Sequence, residues 1–281
     1  GKTMLAERLP ALLPDLEPDA SLEIAVVASA LATGPGRPEL PTRPPFIAPH
    51  HSTTAVSLVG GALRGRVVAG LVSQAHHGVL LLDEAPEFAR AALEAMREPM
   101  DRGVVAVARL AETVTLPASC QVVLTANPCP CGQWGSSDAA CRCSAGDRLR
   151  YRNRLSGPLL DRIDLVVGVG TPVPSPVTLT TAVARERIRD ARSRMRQRFE
   201  HQPYSLNAQI PASALNAGYA LQADAEALLT DCLKRDQWSA RSVARLRRVA
   251  WTVADLDGAD VPGVEHVATA LAYRSSELWP T

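Results

Sequence analysis

The sequence has no excess charge of one sign, almost no lysine and no long apolar run. Its 30 basic and 29 acidic residues give a formal net charge of +1, so the overall charge does not indicate a nucleic-acid partner. Lys2 and Lys234 are the only lysines. The arginines that carry the remaining positive charge suit planar phosphate recognition, although a codon bias gives the same composition. No apolar segment approaches the ~18 residues of a membrane-spanning helix, so we expect no membrane association.

An apolar run that ends in two acids organises the rest of the sequence. Residues 79–82 are all apolar and follow Gly78, a pattern that predicts a strand buried on both faces of a parallel sheet. Asp83 and Glu84 come where this strand ends, and open α/β sheets bind ligands at the carboxyl ends of their strands. One acid there can hold Mg²⁺ and a second can position an attacking water. A strand followed by a solvated acidic turn is the alternative.

The chain begins Gly1-Lys2-Thr3, which is the last third of the phosphate-binding motif G-x-x-x-x-G-K-[ST]. In that motif Lys2 would reach the β/γ-phosphates and the Thr3 hydroxyl would bind Mg²⁺. Three residues recur by chance, but here they open a helix predicted over 3–13 and precede the acid-ended strand. The pattern therefore predicts a nucleotide phosphate site with Mg²⁺. Because the first glycine and the preceding strand of the motif are absent, we expect a fragment cut inside the phosphate loop.

Strands and helices alternate as far as a proline-rich joint, and helices alone follow it. The patterns predict strands at 46–48, 121–126 and 164–168, a helix at 88–100 and a hairpin over 104–116. The joint is TPVPSP at 171–176, so we place an α/β nucleotide-binding domain at 1–172 and a small all-α domain at 173–281. The helices predicted in the second domain are 180–199, 212–221, 223–235, 240–256 and 264–273.

Four of the six cysteines form the pattern C-x-C-x9-C-x-C, and these are Cys129, Cys131, Cys141 and Cys143. Four thiolates can close a tetrahedral Zn²⁺ site. The C-x-C spacing is tighter than the usual C-x2-C, so free thiols on a flexible loop are the alternative. Six cysteines in a nucleotide-binding chain favour a reduced, cytoplasmic location, where metal binding is commoner than disulfides.

Two pairs of adjacent histidines, His50-His51 and His76-His77, also suggest metal ligands. Neighbouring side chains on an extended segment point in opposite directions, so one such pair does not easily chelate one ion. We therefore expect a structural or inter-subunit role for both pairs.

Four motifs in a fixed order carry a family likeness. They are PFIAPHHS at 45–52, AHHGVLLLDEAPEF at 75–88, ANPCPCG at 126–132 and LSGPLLDRID at 155–164. With these motifs the chain resembles the magnesium-chelatase-like AAA+ ATPases of the ComM/YifB type over nearly its whole length. It is less similar to the magnesium-chelatase ATPase subunit itself, which lacks the PHH and NPCPC runs.

The resemblance implies an AAA+ P-loop core with five parallel strands, here without the first strand, followed by a helical lid. It also implies a ring, usually a hexamer, and the DNA branch migration during natural transformation that is associated with such proteins. The roles it implies are Walker A for Gly1, Lys2 and Thr3, Walker B for Asp83 and Glu84, a polar sensor for Asn127, a finger that reaches a neighbour's ATP for Arg162, and a lid sensor for Arg241.

The last three roles have plainer alternatives. Asn127 could simply be a turn residue before Pro128. Arg162 could form an ion pair with Asp161 or Asp164, and Arg154 is a rival for its role as finger. Arg241 could lie on a solvated helix face shared with Arg245 and Arg248. Asn127, if it is a sensor, would hold the attacking water or the γ-phosphate.

The predicted function is Mg²⁺-dependent ATP hydrolysis by a ring motor on DNA. Arginines of two loops, Arg64 and Arg66 near 60–66 and Arg109 in the hairpin, could grip phosphates without reading bases. Ordinary surface loops would have the same composition. Two other functions stay open, a chelatase motor that drives metal insertion into a tetrapyrrole and a non-hydrolysing, nucleotide-gated scaffold. DNA should stimulate the ATPase of a DNA motor but not that of a chelatase motor. An intact Glu84 argues against the non-hydrolysing scaffold.

Overall fold

The computed structural model describes residues 1–31, 40–63, 66–109, 112–135, 141–170, 179–236 and 238–275. Two compact units divide between Arg162 and Ile163. The predicted domain boundary at residue 172 falls within 171–178, outside the described residues, and stays a prediction. None of the described helices is long and apolar enough to cross a membrane.

The first unit contains a parallel sheet and two antiparallel hairpins. The strands are β1 Phe46–Ile47, β2 Gly60–Leu63, β3 Arg66–Ala69, β4 Val79–Leu82, β5 Val104–Arg109, β6 Glu112–Pro117 and β7 Gln121–Leu124. The parallel sheet has the order β1-β4-β7, while β2 pairs with β3 and β5 with β6. The described residues thus form three of the five parallel strands that the family likeness implies.

The central strand β4 is buried along its whole length, as its apolar sequence predicts. It pairs in parallel with β7, with Leu82 opposite Leu124, so the carboxyl ends of the two strands share one edge of the sheet. At the other end of β4, the Val79 N–H donates to the Pro45 carbonyl at 2.9 Å. Gly78 permits this approach, since a Cβ there would lie 2.0 Å from the Pro45 oxygen.

The described helices of the first unit are mostly short. They are α1 Lys2–Arg8, α2 Pro18–Leu31, α3 Ala55–Val59, α4 Leu71–Gln74, α5 Arg90–Ala95, α6 Arg97–Arg102, α7 Ala145–Arg152 and α8 Gly157–Leu160. Proline shortens two of the predicted helices. Pro10 has no N–H to continue α1, which passes into a 3₁₀ turn at Leu9–Leu12. Pro99 cannot donate to the carbonyl four residues earlier, so the helix predicted over 88–100 is divided into α5 and α6.

The predicted hairpin is confirmed as β5 and β6, and β2 and β3 form a second hairpin whose strand β2 packs beside β5. Arg66 is exposed at the start of β3. Arg64 and the side chain of Arg109, two of the predicted phosphate contacts, lie outside the described residues.

The second unit is helical, as predicted. Its helices are α9 Thr181–Arg198, α10 Ala212–Ala217, α11 Ala223–Asp236, α12 Ala240–Asp257 and α13 Val264–Ser275. Helix α12 contacts α9, α10 and α13, and its Leu246, Ala250 and Trp251 form part of the apolar core.

The strand predicted over 164–168 is wrong. Residues 163–170 are described and include no strand. The segment bonds to a helix and not to a neighbouring strand at Val166, whose N–H donates to the carbonyl of Tyr273 in α13 at 2.9 Å. Local β-propensity was therefore overridden by a tertiary contact.

Candidate functional site

Helix α1 and the ends of β4 and β7 bring together most of the residues predicted to bind nucleotide. The Lys2 ammonium donates to Asn127 Oδ1 at 3.0 Å. The Thr3 hydroxyl lies 3.1 Å from both carboxylate oxygens of Asp83. Residues separated by 80 and 125 positions therefore meet at one edge of the sheet. A hydroxyl and a carboxylate at this separation form the oxygen-donor set that Mg²⁺ prefers.

Glu84 follows Asp83 with a left-handed backbone, φ +52° and ψ +47°. This conformation is uncommon for a residue other than glycine. The Glu84 side chain is exposed, so its carboxylate is accessible to solvent beside the Thr3–Asp83 contact. An exposed carboxylate at this position can accept a proton from a water molecule.

Thr125 is a residue of the site that sequence reasoning missed. Its buried hydroxyl donates to Asp83 Oδ1 at 2.6 Å and accepts from the Glu84 N–H at 2.9 Å. The signal in the sequence was a polar residue directly after an apolar strand and two positions before Asn127.

Tyr151 of α7 is a second residue that sequence reasoning missed. It is 4% exposed. Burial raises the pKa of its phenol, against a smaller opposing effect of a hydrogen bond with the Asn127 backbone. A neutral phenol thus supports the turn that carries the Asn127 side chain toward Lys2.

Arg162 lies in the first unit, at the end of α8, and its guanidinium is bound within the subunit. Its Nε and Nη2 donate to Asp101 Oδ2 at 2.9 Å and 2.5 Å. Its Nη1 donates to the Pro158 carbonyl, and the side chain is only 8% exposed. The Asp101 contact was not among the ion pairs considered from the sequence. An open cavity of about 550 Å³ lies beside this ion pair.

Arg154, the rival to Arg162, donates to Glu87 Oε2 at 2.9 Å and to the Pro86 carbonyl at 3.0 Å. It follows α7 and contacts the turn directly after Glu84. Its side chain is 51% exposed, so the two arginines differ in both partner and accessibility.

Arg241 lies in the second unit, exposed in the first turn of α12. Its exposure agrees with the alternative of a solvated helix face, but that face is not shared with Arg245 and Arg248 as the alternative expected. Arg245 is buried and donates to Asp164 at 2.9 Å. Arg248 donates from Nε and Nη2 to the Ile210 carbonyl, and burial lowers its pKa. The sensor role of Arg241 stays a prediction.

The four cysteines of the C-x-C pairs converge in the first unit. Their sulfur atoms all lie within 4.8 Å of one another, and the distances among Cys129, Cys131 and Cys141 are 3.3, 3.6 and 3.6 Å. A tetrahedral zinc with Zn–S bonds of about 2.3 Å places its sulfurs about 3.8 Å apart. The cluster therefore has the size and the chemistry of a structural zinc site.

The protein environment favours the thiolate at Cys131 in particular. The backbone N–H of Gln133, followed by the Cys129 side chain, lowers the pKa of Cys131 to about 6, and the thiolate is the form that binds metal. At Cys143 a backbone hydrogen bond with Cys131 lowers the pKa, but burial and hydrogen bonds with the other three thiols outweigh it and raise the pKa to about 12. Arg148 of α7 fixes the loop, since it donates to the Cys143 carbonyl at 3.1 Å and stacks on Trp134. Cys120 differs, because burial raises the pKa of its thiol to about 12.

We expect purified protein to contain about one zinc per chain. Cys131→Ser should remove most of that zinc and lower the melting temperature, because metal binding to such a site contributes to folding. Cys120→Ser is the matched control and should keep its zinc. Elemental analysis with thermal melting checks this, and a wild-type protein free of zinc after metal-replete purification would contradict it.

His76 and His77 do not point apart, as an extended segment would require. His77 has φ +59°, and this turn places both rings on Glu23 of α2, with Nε2 to Oε2 distances of 2.8 and 2.7 Å. The Ser119 N–H donates to Nδ1 of His76 at 3.1 Å. In neutral His76 the proton is therefore on Nε2, where it donates to Glu23 and blocks metal binding at that nitrogen. The contact is a hydrogen-bonded clamp between α2 and the segment before β4.

This clamp predicts loss of stability in acid. Burial lowers the pKa of His76 below its unfolded value of 6.5, so its contribution is present above pH 6.5 and is lost as pH falls. Hydrogen bonds from His76 and then His77 lower the pKa of Glu23 below 4.5, so its contribution is also lost in acid. We expect the urea concentration at the midpoint of unfolding to be lower at pH 4 than at pH 7. Glu23→Gln should reduce that fall, and an unchanged pH dependence would contradict the assignment.

Comparison with known proteins places these features in a family. Residues 1–175 match the family model described as magnesium chelatase, subunit ChlI, and residues 178–274 match the model of its C-terminal region. An uncharacterized protein of Mycobacterium tuberculosis is 41% identical over 280 residues, which are 98% of this chain and 55% of that protein.

Two further relatives carry names. The uncharacterized protein YifB of Escherichia coli is 37% identical over 278 residues, 98% of this chain and 54% of that protein. Competence protein ComM of Haemophilus influenzae is 35% identical over 279 residues, 98% of this chain and 53% of that protein. The chain spans about half the length of the curated relatives it matches.

Proposed function

This chain belongs to the magnesium chelatase ChlI family of AAA+ ATPases, and on that premise we propose that it forms the ATP-hydrolysing part of a ring-shaped motor that acts on DNA. The observation that carries the proposal is the meeting of Lys2, Thr3, Asp83 and Asn127 at the shared end of β4 and β7. Ligand sites of open α/β folds lie at this edge.

The chemistry proposed for the site needs charge neutralisation and an aligned water more than covalent catalysis. Thr3 and Asp83, already 3.1 Å apart, would hold Mg²⁺. When bound, ATP would supply the phosphoryl group and Mg²⁺ would offset its negative charge. Lys2 would neutralise the β/γ-oxygens, and Glu84 would take a proton from the attacking water. Asn127, which accepts from Lys2 at 3.0 Å, would hold the attacking water or the γ-phosphate.

We propose a homo-oligomeric ring, a hexamer, in which Arg162 of one subunit would reach the ATP of the next, as the family membership suggests. Arg162 is 8% exposed and bound to Asp101 in its own subunit, so its action on a neighbour's ATP would require the guanidinium to leave that carboxylate. An arginine supplied in this way stabilises the charge of the transition state. Arg241 of the second unit would contact nucleotide as the lid sensor.

DNA is the proposed substrate of the motor, in branch migration during natural transformation. Two features support it. One is the name of the relative ComM, a competence protein, and the other is the pair of neighbouring hairpins β2–β3 and β5–β6, with Arg66 exposed. Such hairpins could contact phosphates without reading bases. The test is ATP hydrolysis by the full-length protein with and without branched or single-stranded DNA. Stimulation by DNA that weakens with added salt is expected.

The description of the family itself favours a second function, a motor that drives metal insertion into a tetrapyrrole. It predicts no response to DNA and an ATPase rate that rises only with a chelatase partner. The same assay therefore separates the two functions. If no condition gives ATP hydrolysis, a nucleotide-gated scaffold braced by the cysteine cluster becomes the better account.

A further inference from the structure

Thr125 is placed between both acids of the candidate site. It directly follows β7 and is 7% exposed. Its hydroxyl donates its one proton to Asp83 Oδ1 at 2.6 Å, and its oxygen accepts the Glu84 N–H at 2.9 Å. One buried hydroxyl thus contacts the side chain of the first acid and the backbone of the second.

The sheet fixes the position of this hydroxyl. The Thr125 N–H donates to the Leu82 carbonyl at 3.2 Å, and the Thr125 carbonyl accepts from the Ala85 N–H at 2.8 Å. These two bonds extend the β4–β7 pairing past the strand ends and span the acid pair. Thr125 is therefore held opposite Asp83 and Glu84 by its backbone, with only its side-chain rotation left to select.

Glu84 needs such support because of its backbone. Its φ of +52° and ψ of +47° lie in the left-handed region, which a residue with a Cβ occupies at a cost in free energy. The Thr125 oxygen supplies the acceptor for the Glu84 N–H in this conformation. With this backbone conformation, the Glu84 side chain is exposed.

We propose that Thr125 is a positioning residue for ATP hydrolysis, with its hydroxyl orienting Asp83 toward Mg²⁺ and holding Glu84 in its left-handed turn. This rests on the proposed function, from which the roles of the two acids are taken. Hydrogen-bond partners of a metal-binding carboxylate tune the ligand, and their loss typically costs about 10- to 100-fold in metal affinity or activity. Removal of the hydroxyl alone should have an effect of that size.

Two substitutions in the full-length protein separate the hydroxyl from the methyl group. Thr125→Val keeps the shape of the side chain and removes the hydroxyl, whereas Thr125→Ser keeps the hydroxyl and removes the methyl. We expect Thr125→Val to lower kcat and to raise the Mg²⁺ concentration for half-maximal rate, together by about 10- to 100-fold. Thr125→Ser should recover most of the loss.

A role in filling space alone predicts the opposite order. If Thr125 only fills space, Ser leaves a gap and is the worse variant, while Val is tolerated. Thr230→Val, on an exposed face of α11 where the hydroxyl donates to the Glu226 carbonyl, is the control for a threonine hydroxyl removed elsewhere. Val at or near wild-type activity, or Ser below Val, would overturn the proposal.

A second measurement does not depend on hydrolysis. The amide of Glu84 should exchange slowly with solvent in the wild type and in Thr125→Ser, and faster in Thr125→Val, because its acceptor is then lost. If the exchange rate of that amide is the same in all three proteins, the proposal is overturned whatever the ATPase rates are. A wild-type protein that protects this amide yet never hydrolyses ATP would instead refute the proposed function.

Discussion

Glu84→Gln should abolish ATP turnover in the full-length protein while leaving ATP bound. Gln has the shape of Glu and can keep the left-handed turn and the Thr125 contact, which is made by the backbone N–H. It cannot take a proton from water. General-base catalysis contributes about 10²- to 10⁴-fold, so we expect kcat to fall by at least that much with little change in nucleotide affinity.

Turnover and binding must be measured on the same preparation. Fluorescent-nucleotide titration reports binding, and phosphate release reports turnover. Glu7→Gln is the matched control, since Glu7 is an exposed acid on α1, the helix that carries Lys2 and Thr3, and it should hydrolyse ATP normally. Turnover by Glu84→Gln equal to that of wild type would remove Glu84 from the role of base.

Arg162→Ala should reduce hydrolysis by about 10³- to 10⁵-fold, the range for an arginine supplied to a phosphoryl-transfer site. Arg162→Lys should recover little, because a single ammonium cannot copy the planar fork of donors that a guanidinium offers to phosphate oxygens. Arg154→Ala is the comparison that separates the two candidate fingers. Its side chain is half exposed and contacts Glu87.

Mixing inactive subunits tests whether Arg162 acts on a neighbour. An Arg162→Ala subunit keeps its own Glu84, and a Glu84→Gln subunit keeps its Arg162, so a mixed ring should contain some complete sites. We expect hydrolysis to return when the two variants are combined, although each is inactive alone. Loss of ATP binding by Arg162→Ala, or no recovery on mixing, would assign Arg162 a role within its own subunit. The Asp101 ion pair would then be structural.

The elements that could be predicted are those whose cause is local. The buried strand β4 has an unbroken apolar sequence, and the helices of the second unit carry apolar residues at helical spacing. The hairpin β5–β6 has two β-rich runs about a short turn. The errors came from long-range partners and from proline. Residues 164–168 have the composition of a strand, yet the Val166 N–H donates to the Tyr273 carbonyl. The apolar spacing over 88–100 predicts one helix, which Pro99 divides into two.

The sequence by itself determined which chemical groups the site contains. Lys2, Thr3, Asp83, Glu84 and Asn127 were identifiable because motif spacing and strand ends are local properties of the chain. The four cysteines were identifiable in the same way.

Only the tertiary structure decided which groups support them. Thr125 meets the acid pair because β4 and β7 are parallel neighbours, and Asp101 binds Arg162 across 61 positions. His76 and His77 share Glu23 because the backbone of His77 itself is left-handed. These contacts depend on how distant segments pack, and no pattern within a short window of sequence encodes that.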